Sequence, residues 1–222
     1  MIFKSKTIII KKILTILNYQ ILKRFLDFLF AFFLIILFIP LFLIIGILIK
    51  TSSKGPIIFI QKRIGKNNSN FSCYKFRTMR PQSKYLLKKI FIKNPDLKSQ
   101  FSETRKIIND PRITKIGAFL RFSSLDELPQ LFNVFKGDMS FIGPRPIVKS
   151  EIKKYGEAFG KVFSIKPGIS GLWQVSGRNN LSYDTRVELD INYSENINFL
   201  LDIKIFIKTI IVILFPFGKG AF

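Results

Sequence analysis

Residues 28–49, FLFAFFLIILFIPLFLIIGILI, run for 22 residues without a charge. At about 1.5 Å per residue, a helix of that length reaches across a hydrocarbon core of roughly 30 Å. The run is too long for a cleavable signal peptide, and no small-residue cleavage site follows it. A membrane-inserted helix is therefore expected, and two features bear on its shape. Pro40 sits near the middle, where it removes one backbone hydrogen bond and presses on the preceding turn, which bends helices. Positive charge flanks both ends, with Lys11, Lys12, Lys23 and Arg24 before the run and Lys50, Lys54, Lys62 and Arg63 after it. Cytoplasmic flanks are the ones enriched in Lys and Arg, so this balance fits a helix broken at Pro40 that enters and leaves by one face. A kinked single span fits the same residues, because prolines are common in membrane helices.

The rest of the chain divides around that run. Residues 1–22 read as a basic amphipathic lead-in suited to an anionic leaflet, residues 23–50 as the membrane helix, and residues 51–222 as the domain that follows it, which the resemblance given below implies to be catalytic and on the cytoplasmic face. Within the last, GPIIFIQKRIG (55–65) reads as a short strand leading into a basic turn, and FSCYKFRTM (71–79) as its hairpin partner. Residues 81–105 are polar and basic, a helix and a loop. ITKIGAFLRF (113–122) has helical spacing, and a further helix is expected from about 126 to a stop at Gly137. KPGISGLWQVSGR (166–178) is loop-rich, and YDTRVELDINYS is helical again. Residues 197–218 are apolar but interrupted by Asp202, Lys204 and Lys208, which suits an interfacial helix or a buried core helix. The expected fold class is an α-rich α+β domain with little sheet beyond one short β-hairpin.

Composition narrows the chemistry. The 222 residues contain no histidine, which excludes Ser–His–Asp and Cys–His catalysis and imidazole metal sites. Cys73 is the only cysteine, so an internal disulfide and a cysteine-built zinc site are excluded as well. With 36 basic against 14 acidic residues, the formal charge of +22 points to an anionic partner: nucleic acid, anionic lipid or a phosphorylated small molecule. Any catalysis must use carboxylates, Lys, Arg, hydroxyls, Cys73 or an oxygen-liganded ion.

RFSSLDELPQLFNVFKGDMSFIGPRP (121–146) concentrates those groups. Asp126 and Glu127 stand side by side between serines and a proline. Ser124 and Glu127 match a capping box, and acids favour the first turn of a helix, so one reading of the pair is structural. Whether Ser124 or Asp126 is the cap stays open, and Pro129 suits a later helix start. The other reading is catalytic. Arg112, Lys115, Arg121 and Arg145 lie nearby in sequence, and Pro144 and Pro146 stiffen Arg145 within GPRP. A carboxylate nucleophile, an oxygen-liganded divalent cation and surrounding cations are what phosphoryl transfer needs.

Five segments, in this order, carry a resemblance: KRFLDFLFAFFLIILFIPLFLIIGILIK, QKRIG, KFRTM, DPRITKIGAFLRFSSLDELPQLFNVFKGDMSFIGPRPIV and KPGISGLWQVSGRNNLSYDTRVELDINYSEN. Across residues 23–222 the chain resembles the bacterial sugar transferase family, the monotopic phosphoglycosyl transferases that act on polyprenyl phosphate. The resemblance implies transfer of a hexose 1-phosphate, such as that of galactose or glucose, from a UDP-sugar to undecaprenyl phosphate. UMP is released, and capsule, exopolysaccharide, O-antigen or glycan assembly begins. It implies Asp126 as the nucleophile that forms an aspartyl-phosphosugar intermediate, with Glu127 beside it holding Mg²⁺ or handling the proton. Arg121 and Arg145 would bind phosphate or nucleotide, as would Lys75 and Arg77 of YKFRTM and Arg178. It also implies a re-entrant membrane helix broken near Pro40 at the cytoplasmic face of the bacterial inner membrane. Many relatives carry Ser before that proline, where Ile39 stands here. The implied partners are the UDP-sugar, undecaprenyl phosphate and the lipid bilayer, without nucleic acid, alongside other glycan-assembly enzymes or a second copy of the chain. Two rival readings remain: a membrane-tethered nucleic-acid-binding protein, which the charge alone would fit, and an inactive scaffold of a glycan assembly complex. Trp173 reads as packing, Cys73 as a small apolar residue, and Asp27 as the ion-pair partner of Lys23 or Arg24.

Overall fold

The computed structural model describes residues 2–104, 107 and 110–215; for 2–17, 84, 100, 102–104 and 179 only the backbone is described. Residues 216–222, which end the expected C-terminal apolar segment, and the side chains of the lead-in through Leu17 lie outside the described residues. In chain order the elements are helices α1 (Ile2–Leu37) and α2 (Ile39–Ser52) and strands β1 (Ile58–Ile64) and β2 (Asn70–Phe76). Helices α3 (Ser83–Lys93), α4 (Pro95–Thr104), α5 (Lys115–Phe122) and α6 (Gln130–Lys136) lead to strand β3 (Ser140–Ile142). Short helices α7 (Ile152–Tyr155) and α8 (Phe159–Val162), strand β4 (Gly168–Ser170), α9 (Leu172–Ser176), α10 (Tyr183–Asn196) and α11 (Phe199–Leu214) complete the chain. This is the α-rich α+β class expected. The β1–β2 hairpin forms as read, and Asn67 and Asn68 in its turn take left-handed backbone angles that Asn tolerates. A second, parallel pair, β3 with β4, joins Ser140 to Gly168 and Ile142 to Ser170. Three-residue strands leave no alternating pattern long enough to read, so the sequence did not announce it.

The helix break is local and has a clear cause. Phe38 still donates to Leu34 O at 2.9 Å, but Pro40 has no N–H to give, and α1 and α2 meet at a bend of 61°. Among the described residues no single helix is long and apolar enough to cross a membrane; Asn18–Leu37 and Ile39–Ser52 qualify only as a bent pair.

The chain forms two compact units. The first comprises residues 1–38, 60–74 and 129–222. In it α1 lies against α6, with Phe28 stacked on Phe135 at 4.9 Å and Phe30 meeting Phe141 at 5.2 Å. Arg24 donates to the carbonyls of Val134 (2.7 Å) and Phe135 (3.0 Å), a cation at a helix C-terminus. Asp202 on α11 gathers three groups: an ion pair with Lys23, the Tyr19 hydroxyl at 2.6 Å and the Tyr193 hydroxyl at 2.7 Å. The expected pairing of Asp27 with Lys23 or Arg24 is therefore corrected. Lys23 goes to Asp202, Arg24 goes to the end of α6, and Asp27 accepts the Phe141 N–H at 3.3 Å. Tertiary partners outcompete neighbours one turn away, because buried carboxylates and orphan carbonyls gain more from a fixed cation than a solvated pair does. On α11, Ile205 and Val212 are buried while Leu200, Ile207 and Leu214 are exposed, so the segment covers core with one face only.

The second unit comprises residues 39–59 and 75–128. Its core joins Ile45 and Ile49 of α2, Phe76 of β2 and Leu120 of α5. Residues 78–80 and 112–114 run antiparallel: Arg80 N–H reaches Arg112 O at 2.9 Å and Thr114 N–H reaches Thr78 O at 3.1 Å. Thr114 then caps α5 by accepting from Gly117 N at 2.9 Å. A Cβ on Gly117 would lie 2.0 Å from Thr78 O, so only glycine lets α5 sit this close.

Candidate functional site

The acidic pair does not open a long helix. Leu125–Glu127 form a single 3₁₀ turn, Leu128 and Pro129 follow, and α6 starts at Gln130. Ser124, the expected cap, makes no capping hydrogen bond and holds a left-handed backbone (φ 59°). The capping-box reading and the helix start near 126 are thus corrected. A left-handed Ser124 cannot present its hydroxyl to the turn it precedes, and Pro129 cannot donate within a continuous helix but suits a helix start. The stop at Gly137 holds, with φ 90° and its N–H on Asn133 and Val134 carbonyls. A non-glycine residue at positive φ beside two carboxylates is backbone strain of the kind found where side chains must be aimed.

In the second unit the structure assembles cations around that turn. Lys75 Nζ contacts Glu127 Oε1 at 2.5 Å, with both side chains mostly buried. Arg121, one helical turn beyond Gly117 on α5, donates from Nε to Thr78 Oγ1 at 3.0 Å. The Gly117 contact and the Arg121 hydrogen bond thus reach the same residue, which fixes the guanidinium. Burial lowers the pKa of Arg121, and the charges of Asp126 and Asp110 oppose that shift. Asp110 is itself held by Arg112, whose Nε and Nη2 reach its carboxylate at 2.8 and 2.5 Å. Burial raises the Asp110 pKa, but the hydrogen bonds and charge of Arg112, with Arg121, outweigh it and the net shift is downward.

Arg77 has other work. Its guanidinium donates to Lys54 O (2.8 Å), Ser53 O (2.7 Å) and Ile49 O (3.3 Å), closing the C-terminal end of α2. Sequence proximity to Lys75 gave no sign of this: positions two apart share a face within a strand, but β2 ends at Phe76, so Arg77 lies beyond it and is not bound by that alternation.

Arg145 and Arg178 belong to the first unit. The GPRP loop is fixed on both sides. Gly143 N–H donates to Ser170 O (2.9 Å), Gly168 N–H to Pro144 O (2.8 Å), Arg63 to Pro146 O (2.9 Å), and Ile64 N–H to Ile147 O (2.8 Å). Arg145 is thereby held stiffly, as its flanking prolines suggested, and its guanidinium sits 5.8 Å from the Trp173 ring centroid. Arg178 opens a 3₁₀ turn with φ 52° and donates to Gln174 O at 3.3 Å. Trp173 is buried, as the packing reading expected, and Cys73 is a buried member of the apolar cluster with Phe71 and Val134. Sequence reasoning missed Arg186 and Asp190, both on α10. Arg186 approaches the same indole at 5.0 Å, and Asp190 is fully buried with one oxygen accepting from Tyr155 OH at 2.8 Å. An acid among apolar residues at helical spacing was the one available signal, in VELDINY.

Comparison with known proteins agrees with these motifs. A family model described as "Bacterial sugar transferase" matches residues 18–216. The chain is 46% identical over 188 residues to the exopolysaccharide production protein ExoY of Rhizobium meliloti, covering 85% of this chain and 83% of that protein. It is 44% identical over 195 residues to the undecaprenyl-phosphate galactose phosphotransferase of Salmonella typhimurium, covering 88% of this chain but 41% of that longer protein. It is 43% identical over 207 residues to the galactosyl transferase CpsE of Streptococcus agalactiae, covering 92% of this chain and 44% of that one.

Proposed function

Because the chain belongs to the bacterial sugar transferase family, we propose that it moves a hexose 1-phosphate from a UDP-sugar to undecaprenyl phosphate at a membrane surface. The observation that carries this reading is the acidic turn, where Asp126 and Glu127 sit on a strained 3₁₀ turn with Lys75 on one acid and Arg121 in the field of the other. The names of the Salmonella and Streptococcus relatives make galactose the first sugar to test.

In this reading an Asp126 carboxylate oxygen attacks the phosphorus next to the sugar. The bond from that phosphorus to the bridging oxygen breaks, and UMP leaves with that oxygen. An oxygen of undecaprenyl phosphate then attacks the aspartyl-bound phosphorus, which frees the Asp126 carboxylate and leaves a diphosphate between lipid and sugar. A carboxylate held ionised suits the first attack, and nearby guanidinium and ammonium groups offset charge gathering on the phosphoryl oxygens. Lys75 orients Glu127, and Arg121 is pinned for the same task by Thr78. Asp126 and Glu127 also offer the oxygen donors Mg²⁺ accepts beside phosphate and water ligands; when bound, the ion would neutralise diphosphate charge. Excess chelator should then abolish activity.

The membrane reading draws on the bent helix pair and on its exposed apolar side chains, among them Phe25 and Phe33 on α1 and Leu43 and Ile47 on α2. Such a surface calls for cover, and lipid fits its length and composition. Cysteines placed at positions 22 and 52 should both label from the cytoplasmic side; labelling from opposite sides would establish a kinked span instead. The activity is tested by assaying UMP release from a panel of UDP-sugars with undecaprenyl phosphate. Release with at least one sugar is expected, and its absence across the panel would sink the reading.

A further inference from the structure

Three cations from separate segments of the first unit converge near the C-terminal end of α6. A Cβ built on Gly137 would lie 3.0 Å from Arg24 Nη2 and 3.3 Å from Lys166 Nζ, so both head groups crowd one point. The hairpin turn brings the third. Asn67 N–H donates to Phe163 O at 2.6 Å, which ties the turn that holds Lys66 to the segment leading to Lys166. Arg24 gives two of its five N–H donors to the carbonyls of Val134 and Phe135. Lys166 is half-buried, yet it makes neither a hydrogen bond nor an ion pair among the described residues. Burial lowers its pKa and the charges of Arg24 and Lys66 lower it further, while those of Asp27 and Asp138 offset the shift only in part.

Both of those acids have other partners. Asp27 accepts the Phe141 N–H at 3.3 Å, and burial raises its pKa, which favours the neutral form. Asp138 accepts from Asn133 Nδ2 at 3.2 Å and lies 3.7 Å from Lys136 Nζ. An ammonium held part-way out of water beside two like charges is unfavourable until an anion joins it. The place of these cations on the chain says which anion. Arg24 precedes the uncharged run by four residues, about 6 Å along a helix. Its neighbours Ile21, Leu22 and Phe25 on α1 are exposed apolar side chains. With that run inserted in lipid, Arg24 and the head group of Lys166 beside it stand at the depth of the phospholipid phosphates.

We propose that Arg24, Lys66 and Lys166 seat the phosphate of an anionic membrane phospholipid, a structural lipid that is neither donor nor acceptor in the transfer. A headgroup without an ammonium of its own is the one that fits, because a zwitterionic headgroup brings a further cation to a place that already holds three. The proposal rests on the membrane reading of α1 and α2 and not on the transfer chemistry.

The full chain in detergent micelles is mixed with phosphatidylglycerol, with phosphatidylcholine of the same acyl chains, or with undecaprenyl phosphate, and native mass spectrometry counts the lipid retained. Saturable retention of phosphatidylglycerol is expected, with phosphatidylcholine weaker by about tenfold or more. Lys166→Gln weakens phosphatidylglycerol binding about fivefold, the effect of one basic residue near an anionic lipid, and Lys166→Arg restores most of it. Circular dichroism checks that Lys166→Gln folds. If it does not, Lys66→Gln carries the test, since that side chain anchors nothing among the described residues. Equal retention of the two phospholipids, or unchanged retention in the folded Gln variant, overturns the proposal. Displacement of phosphatidylglycerol by an equimolar amount of undecaprenyl phosphate overturns it too, because the seat is then the acceptor's. The membrane reading fails separately. A chain that enters neither phosphatidylglycerol nor phosphatidylcholine nanodiscs sinks both, whereas entry into both without dependence on Lys166 sinks the proposal alone.

Discussion

Asp110 in one unit and Asp190 in the other are both buried carboxylates, yet their protonation is pushed in opposite directions. Burial raises both pKa values. Asp110 meets Arg112 through three contacts at 2.5–3.0 Å and ends below its ordinary value. Asp190 has one tyrosine hydroxyl and the more remote charge of Arg145, and is pushed up to about 7. The lesson is that depth and partners decide together whether a buried acid is charged: Asp190 lies deeper and has fewer donors, while Asp110 has a guanidinium to offset its burial. In the second unit the acidic turn and its surroundings are built of matched charges: Glu127 on Lys75, Arg121 in the field of Asp126, and nearby Asp110 on Arg112. Around Trp173, among the described residues, the Arg145 guanidinium and Asp190 Oδ1 have no hydrogen-bond partner. The first arrangement holds its acids ionised, whereas the second lets burial push its acid toward the neutral form.

Four substitutions break or sharpen this contrast. The largest effect belongs to Asp126→Asn. An amide cannot serve as phosphoryl acceptor, so UMP release should fall by on the order of a thousandfold or more, and mass spectrometry with donor alone should find no adduct at position 126. A normal rate in this variant would end the covalent mechanism. Next, Arg112→Met strands the buried Asp110 carboxylate. Removing one partner of a buried pair typically costs about 3–5 kcal/mol, read as a lowered melting temperature in detergent. If the melt is unchanged, Asp110 does not depend on Arg112 as its geometry suggests. Gly117→Ala forces Cβ into the Thr78 carbonyl, and overpacking of this kind costs about 1–3 kcal/mol. Because Thr78 also holds Arg121, turnover should fall further than the melting temperature alone accounts for.

The smallest effect is a change in slope. The folded-state pKa of Asp190 lies above its ordinary value, so the folded chain binds more protons than the unfolded chain between the two. Its contribution to stability is therefore present at low pH and lost as pH rises through about 7. Asp110 has the opposite sign: its depressed pKa contributes stability above the ordinary carboxylate range, lost on acidification. Asp190→Asn should flatten the fall in melting temperature between roughly pH 4 and 7. An identical slope in the variant would show that Asp190 does not titrate there.

Much of the fold was legible where local rules suffice. Pro40 marked the break, the glycine-bounded apolar runs marked the hairpin, Gly137 marked the end of α6, and helical spacing marked α5. The acidic turn was located but misread as a continuous helix, because Ser124-x-x-Glu127 carries the cap pattern whether or not Ser124 takes helix-compatible angles. The β3–β4 pair escaped because its strands are short and its partners lie 28 residues apart in the register Ser140 to Gly168.

By itself, the sequence determined the family, the apolar run with its breaking proline, and the placing of two acids next to one another, since each of these is written in contiguous residues. Only the tertiary structure decided which cation each acid meets. It put Arg77 on the end of α2, Lys23 on Asp202, and Arg186 beside Arg145. Those choices turn on the desolvation of groups far apart in the chain, and no local propensity encodes them.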